Sequence, residues 1–117
     1  MVRDVFHYDD ERGLQIVISP KKLEPSRAGG TKQLALLVAA GRQAAGLDED
    51  DWTDIGEVRQ VAQDYKKFDS ANFAKHISGM KDEFNVTGPA QKRLIKVTRP
   101  GWDKARELVE RLAGVEA

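Results

Sequence analysis

The alternation of apolar and polar residues predicts a β-hairpin near the start of the chain. Leu14, Ile16 and Ile18 alternate with other positions, and a second β-prone run precedes them across the turn-rich segment 9–13. Alternation with a period of two places side chains on one face of a strand, and a polar turn with glycine between two such runs is typical of a hairpin. We therefore expect an N-terminal β-hairpin within residues 1–19.

Two helices are predicted after this hairpin. Residues 20–30 contain two prolines, two glycines and three cations, a composition that favours a connecting loop on the surface. Thr31 then predicts the N-cap of helix one, whose apolar face ends before Gly46. Thr53 predicts the N-cap of helix two, in which helical spacing continues to about Lys67.

A third helix is predicted by four apolar residues that recur at steps of four, three and four: Phe73, Ile77, Met80 and Phe84. At about 100° per residue, these steps place the four side chains on one stripe of a helix. We therefore predict helix three over residues 69–84, with Asp69 or Ser70 accepting the free backbone N–H groups at its start. Because only residues 68–70 join helices two and three, the pair has the arrangement of a helix-turn-helix.

After Phe84 the pattern changes from helical spacing to that of β-strands. Two β-prone runs flank a Gly-Pro turn and indicate a second hairpin over residues 86–97. Thr98 then predicts the N-cap of a closing helix with Pro100 in its first turn. The apolar side of that helix comprises Trp102, Ala105, Leu108, Val109 and Leu112. The order of the elements is that of the α+β class.

The sequence of residues 94–102, LIKVTRPGW, resembles part of the winged helix-turn-helix domains found in many prokaryotic regulators. It is similar to that family's end of wing, threonine cap, Pro/Gly first turn and packed closing helix, and the resemblance covers about residues 31–112. It implies an α+β winged helix-turn-helix fold, to which the N-terminal β-hairpin is an addition. It also implies that helix 69–84 enters the major groove of DNA and that wing 86–97 follows the phosphate backbone. Many such domains instead bind proteins or RNA.

The length of the chain, 117 residues, fits one domain. We assign residues 1–19 to the hairpin, 20–30 to a connecting loop and 31–113 to the winged helix-turn-helix core of a single domain, 1–117. No cysteine is present, so disulfides, thiolate metal sites and cysteine nucleophiles are excluded. The chain begins without the apolar run of a signal peptide and has no stretch of membrane-spanning length, so we expect a cytoplasmic protein with no membrane partner.

Charge is balanced in total but uneven along the chain. The nineteen basic and nineteen acidic residues cancel, so total charge predicts no attraction to nucleic acid. Residues 69–99, however, hold six basic and three acidic residues, and residues 20–45 hold five basic residues and one acidic residue. Residues 46–68 hold seven acidic and three basic residues. We therefore expect a molecule with a basic side and an acidic side.

Helix three and the wing supply the candidate residues for contact with DNA. On the helix they are Ser70, Asn72, Lys75 and Ser78, and on the wing they are Lys92, Arg93 and Lys96. Asparagine pairs with adenine and lysine contacts guanine or phosphate, whereas basic residues at a wing tip meet phosphates. Asp82 and Glu83 oppose such binding. The alternative interpretation is that the helix residues simply face solvent and that the basic wing discourages strand pairing.

No arrangement of residues indicates catalysis, a metal site or a cofactor. The acidic residues 48–51 point in successive directions, whereas a hard cation needs converging oxygens, so a solvated loop is the favoured interpretation. His7 and His76 are too few for most zinc sites without cysteine. Trp52 and Trp102 lie beside helix starts, and we expect them to be core anchors.

Two functional hypotheses remain open. The first is a non-enzymatic winged helix protein that binds double-stranded DNA, with transcription regulation and a homodimer as further expectations, since two copies on adjacent half-sites multiply a weak contact. The second is a winged helix module for protein interaction, in which the acidic segment and the N-terminal hairpin contact a protein partner. Affinity for duplex DNA that falls steeply with salt distinguishes the first hypothesis from the second.

Overall fold

Short strands and helices are assembled around one long helix. The structure is a computed structural model that describes residues 5–11, 13–89 and 92–113. The elements follow in the order β1 (Phe6–Asp9), β2 (Gly13–Ile16), α1 (Arg27–Ala44), β3 (Thr53–Asp54), α2 (Ile55–Asp64), α3 (Phe73–Ser78), β4 (Phe84–Thr87), β5 (Leu94–Val97) and α4 (Arg99–Leu112). The described residues thus form four α-helices and two antiparallel sheets, which confirms the α+β class.

Some predicted segments extend beyond the described residues. Residues 1–4 and 12 of the hairpin segment, residues 90–91 of the wing and residues 114–117 of the single domain lie outside them.

The N-terminal hairpin forms as predicted and is fastened to the helices. β1 and β2 pair antiparallel, with Phe6 opposite Ile16. The Tyr65 hydroxyl, just after α2, lies 3.0 Å from the carbonyl oxygen of Ile16 and 2.8 Å from that of Ile18. Because a hydroxyl has one proton to donate, the two carbonyl groups share it. This bond holds the second strand of the hairpin against the rest of the molecule.

The first helix begins earlier than predicted. Ser26, and not Thr31, is its N-cap and accepts a hydrogen bond from a backbone N–H of the first turn at 2.9 Å. The predicted loop 20–30 therefore ends before its last residues. A Cβ atom at Gly30 would lie 2.7 Å from the side chain of Lys67, whose carbonyl accepts a hydrogen bond from the buried Thr31 hydroxyl at 2.9 Å. Glycine locally favours a loop, yet Gly30 lies within α1, with the Lys67 side chain beside it.

α1 forms the centre of the hydrophobic core. It packs against the other three helices and against strands of both sheets. Four of its apolar side chains have no solvent exposure: Leu34, Ala35, Leu37 and Ala39. Removal of such apolar surface from water, at about 25 cal/mol per Å², holds the surrounding elements in place.

A three-stranded antiparallel sheet, in the order β3-β5-β4, lies beside α1. β4 and β5 form the predicted second hairpin, with Val86 opposite Ile95. β3 is two residues long and so carries no periodicity from which it could be predicted. Thr53 belongs to this strand and is fully buried, so it does not cap α2. The cap is Asp54, whose carboxylate accepts a hydrogen bond from the Gly56 N–H at 2.7 Å.

The third helix is much shorter than predicted. Met80 and Phe84 are buried, but both lie beyond α3, and Phe84 is the first residue of β4. Phe84 pairs with Val97 of β5, and this tertiary pairing overrides the local helical spacing. Residues 65–72 separate α2 from α3, so the prediction of a tight joint at 68–70 is also wrong.

The closing helix follows the prediction except at one tryptophan. The Thr98 hydroxyl oxygen accepts a hydrogen bond from the Gly101 N–H at 3.1 Å, and Pro100 lies in the first turn. Three of the predicted apolar residues are buried: Ala105, Leu108 and Leu112. Trp102, however, is 37% exposed, so the prediction that it anchors the core is wrong.

Candidate nucleic-acid interface

A hydrogen bond between two of the predicted site residues joins the wing to α3. Arg93, at the base of the wing, donates from Nη1 to the Ser78 hydroxyl oxygen at 3.1 Å. The Arg93 carbonyl accepts a hydrogen bond from the Ile55 N–H at 3.1 Å, which also ties the wing to the start of α2. The Arg93 side chain thus contacts α3 and its carbonyl contacts α2, while its buried Nε has no hydrogen-bond partner among the described residues. The terminal guanidinium nitrogens have no other partner within the described residues.

Two exposed lysines extend the surface on either side of this bond. Lys75 precedes Ser78 by three residues on α3, so the two side chains share one face of the helix. Lys92 directly precedes Arg93 in the wing. Among the described residues, no carboxylate forms a salt bridge with Lys75, Lys92 or Arg93. We call these four residues, Lys75, Ser78, Lys92 and Arg93, the α3–wing surface.

Aromatic packing on the opposite side of α3 turns this surface outward. Phe73 is 3% exposed, its ring centroid lies 5.3 Å from that of Phe68, and the Arg59 guanidinium lies 5.3 Å from the Phe73 ring centroid. Ile77, one turn further along, is also buried. Because one side of α3 is fixed in the core, Ala74 and Lys75 on its other side are exposed.

The other two candidates on the predicted helix, Ser70 and Asn72, lie in the turn before α3. Asp69 accepts hydrogen bonds from the Asn72 side-chain amide at 2.9 Å and from the Ala71 N–H at 3.2 Å. The bond from Asn72 is the main cause of a lowered Asp69 pKa. This bond uses one of the two amide protons of Asn72, so pairing with adenine would have to use the other proton and the amide oxygen. An aspartate carboxylate that can accept hydrogen bonds from groups two or three residues later in the chain is a sequence signal for this type of turn.

The third predicted wing residue, Lys96, lies in β5. Successive residues of a strand point to opposite faces, so Lys96 lies on the other face of β5 from the buried Ile95. Its Nζ atom lies 5.6 Å from the ring centroid of Trp52. Within the described residues, Lys96 contacts Trp52 and forms no side-chain hydrogen bond or salt bridge with the other predicted wing residues.

The two acidic residues that would repel DNA phosphates lie outside α3. Asp82 and Glu83 lie in the turn before β4, since α3 has already ended. Glu83 Oε1 lies 3.4 Å from the Lys104 Nζ of α4, so part of its charge is neutralised. The prediction that both acids belong to the recognition helix is wrong, because the helix ends before them.

The acidic segment 48–51 divides into one structural residue and three exposed ones. The Asp48 side chain is 8% exposed and lies 2.8 Å from the Arg42 guanidinium, and this hydrogen bond is the main cause of a raised Arg42 pKa. The prediction of a solvated loop is therefore wrong for Asp48. Glu49, Asp50 and Asp51 are exposed as expected. Asp50 and Asp51 have φ angles of 54° and 63°, a left-handed conformation that few non-glycine residues adopt.

Three further observations concern metal ligands, membrane-spanning helices and similarity to known proteins. In the ranges that the structure describes, no group of three or more His, Cys, Asp or Glu side chains is placed to hold a metal ion. The longest helices of the same ranges also lack the combination of length and apolar character needed to cross a membrane. Comparison of the chain with protein-family models, curated proteins and solved structures finds no match.

Proposed function

We propose that the protein is a winged helix domain that binds double-stranded DNA through the α3–wing surface. The observation that carries this proposal is the Arg93–Ser78 hydrogen bond of 3.1 Å, because it makes one continuous surface from helix and wing. Three helices followed by a β-hairpin and a closing helix are compatible with the winged helix resemblance. The placement of Asp82 and Glu83 outside α3 removes one objection to such binding.

Contacts with phosphates would dominate this interaction. α3 has six residues and so spans about 9 Å at 1.5 Å per residue, which leaves Lys75 and Ser78 as its main residues for base edges. Asn72 is engaged by Asp69. Lys92 and Arg93 would meet the backbone. We therefore propose weak sequence preference for one copy, with any strong specificity coming from a homodimer on two half-sites.

Salt dependence of duplex binding tests the proposal. If three cations neutralise three phosphates, log affinity falls with a slope of about −2.7 against log salt, which is about a 40-fold loss between about 50 and 200 mM. Loss of one cation reduces the slope to about −1.8 and the change to about twelvefold. We expect this result for Lys75→Ala and for Lys92→Ala, measured by fluorescence anisotropy with a labelled duplex.

Lys21→Ala is the matched control, because it removes the same charge from an exposed residue outside the α3–wing surface, and no described carboxylate forms a salt bridge with it. We expect it to leave the salt slope unchanged. Absence of duplex binding by the unaltered protein at about 50 mM salt would refute the proposal. Equal effects of the control and the two lysine variants would show that only net charge matters.

A protein partner is the second candidate function, and the conformation of the acidic segment favours it. Asp50 and Asp51 are exposed and left-handed, and such backbone strain is more common at functional sites than elsewhere. We propose a basic protein surface as the partner. Capture of a basic protein from a host lysate, lost with Asp50→Lys and Asp51→Lys and retained with Lys75→Ala, would support this function. Capture that the aspartate variants leave unchanged would contradict it.

A further inference from the structure

An open groove separates the N-terminal hairpin from α4. It has a volume of about 600 Å³, and the C-terminal half of α1 forms its floor. The aromatic rings of Phe6, Tyr8 and Trp102 line it, and Tyr8 and Trp102 are 54% and 37% exposed. Small-molecule sites commonly occupy about 300–1,000 Å³ and are lined mainly by apolar and aromatic side chains. The groove meets both criteria.

Small residues on α1 keep the groove open. A Cβ atom at Gly41 would lie 2.7 Å from Leu14 and 2.8 Å from Phe6, so the hairpin reaches the helix closely at this point. One turn further on, the floor consists of Ala44 and Ala45, both of which are exposed. Here the floor has only methyl groups, whereas aromatic rings stand at the sides. The fold therefore supports a concave apolar surface that the side chains of the described residues leave unfilled.

The charges at the groove indicate the class of ligand. Arg106 and Glu110, one turn apart on α4, are the charged residues among those that line it in the described chain. Their charges cancel, so the groove has no net preference for an anion or a cation. The rest of the lining is apolar or aromatic, which favours burial of carbon and stacking of rings. We propose that this groove binds a neutral, largely aromatic small molecule.

Binding of N-phenyl-1-naphthylamine, a neutral aromatic fluorophore, tests this assignment in the full chain. We expect saturable fluorescence enhancement whose dissociation constant changes less than twofold between about 50 and 500 mM salt, since no net charge is involved. Ala44→Leu places three more carbons in the groove at an exposed position and should weaken binding at least tenfold. Ala74→Leu, the same substitution at an exposed position of α3, should leave affinity within twofold of the unaltered protein.

A second variant tests whether Ala44→Leu weakens binding only by distorting α1. Trp102→Ala removes one aromatic wall and should weaken binding at least fivefold while the far-UV circular dichroism spectrum is retained. Equal affinity of Ala44→Leu, Ala74→Leu and the unaltered protein would overturn the assignment, as would affinity that falls steeply with salt. Light scattering that shows a dimer, together with a monomer for Ala44→Leu, would also overturn it, because a second copy of the chain would then cover the groove. None of these results depends on binding to DNA.

Discussion

Replacement of Gln43 by methionine should destabilise the protein strongly, because this side chain joins α1 to two strands. Gln43 is 7% exposed. Its amide nitrogen donates to the Thr53 hydroxyl oxygen at 3.0 Å and to the Ile95 carbonyl oxygen at 3.3 Å. Its amide oxygen accepts a hydrogen bond from the Val97 N–H at 3.1 Å. The side chain thereby fixes β3 and β5 on the helix at the centre of the core.

The structure gives the size of the expected loss. Methionine has a similar length and fills the space, so the cavity term is small. Three hydrogen bonds contribute about 0.5–1.5 kcal/mol each, and a buried N–H left without a partner, here that of Val97, costs about 1–3 kcal/mol. Taking the lower end of these ranges, we expect Gln43→Met to lower the free energy of unfolding by at least about 3 kcal/mol. For a domain of this size, that corresponds to a decrease in Tm of at least about 12 °C.

Urea unfolding followed by circular dichroism at 222 nm measures this loss. Gln60→Met is the matched control, because Gln60 is exposed and its one side-chain bond, to Asp64 at 3.1 Å, lies on the helix surface. We expect the control to change the free energy of unfolding by less than about 0.5 kcal/mol. If Gln43→Met were as stable as this control, the inference that Gln43 holds the sheet on α1 would be wrong.

Two further predictions concern a close contact and a buried hydroxyl. Gly101→Ala should destabilise the protein by at least about 2 kcal/mol in thermal unfolding, because the added Cβ would lie 2.3 Å from the Glu83 carbonyl oxygen. Gly79→Ala is the control and should be neutral, because its added Cβ would have its nearest atom at 3.4 Å. Burial, and then the charge of a neighbouring aspartate, raises the Tyr65 pKa. The stability that this shift contributes is complete below the unfolded pKa of about 10 and is lost as pH rises through the higher folded value. Stability measured against pH should therefore decline less above about pH 10 in Tyr65→Phe than in Tyr8→Phe, and identical profiles would contradict this assignment.

The placement of the candidate interface depends on these structural contacts. Gln43 positions β5 through the Val97 N–H, and Arg93 immediately precedes that strand. A loss of the Gln43 bonds should therefore weaken DNA binding through movement of the wing, even where the cations are unchanged. The Arg93–Ser78 hydrogen bond then completes the link from wing to α3. Stability of the sheet and affinity for DNA are thus expected to decrease together.

Much of the local structure could be predicted from neighbouring residues alone. The N-terminal hairpin follows from alternation around a polar turn, and the wing follows from two β-prone runs around a Gly-Pro turn. Thr98 caps α4 through an N–H three residues further along the chain. In each case the interacting residues are close in sequence, so the signal is complete within a short window. The exposure of Lys75 and Lys92 also agrees with the pattern.

Contacts between distant residues decided the rest. The spacing of Met80 and Phe84 correctly indicated that both are buried, but pairing of β4 with β5 determined that Phe84 lies in a strand. The hydroxyl of Thr31, next to Gly30 in α1, donates to the carbonyl of the distant Lys67. An apolar pattern indicates which side chains are buried. The hydrophobic effect is non-directional, so the pattern does not indicate which residues they pack against.

The candidate sites show the same division. The sequence by itself determined the residue types available for contact with DNA, the balanced total charge and the α+β order of elements. Only the tertiary structure joined Arg93 to Ser78, placed Lys96 beside a tryptophan ring and engaged Asn72 with Asp69. It also opened the groove between the hairpin and α4. Hydrogen bonds and cavities require atoms within a few ångströms, and that proximity arises when the chain folds.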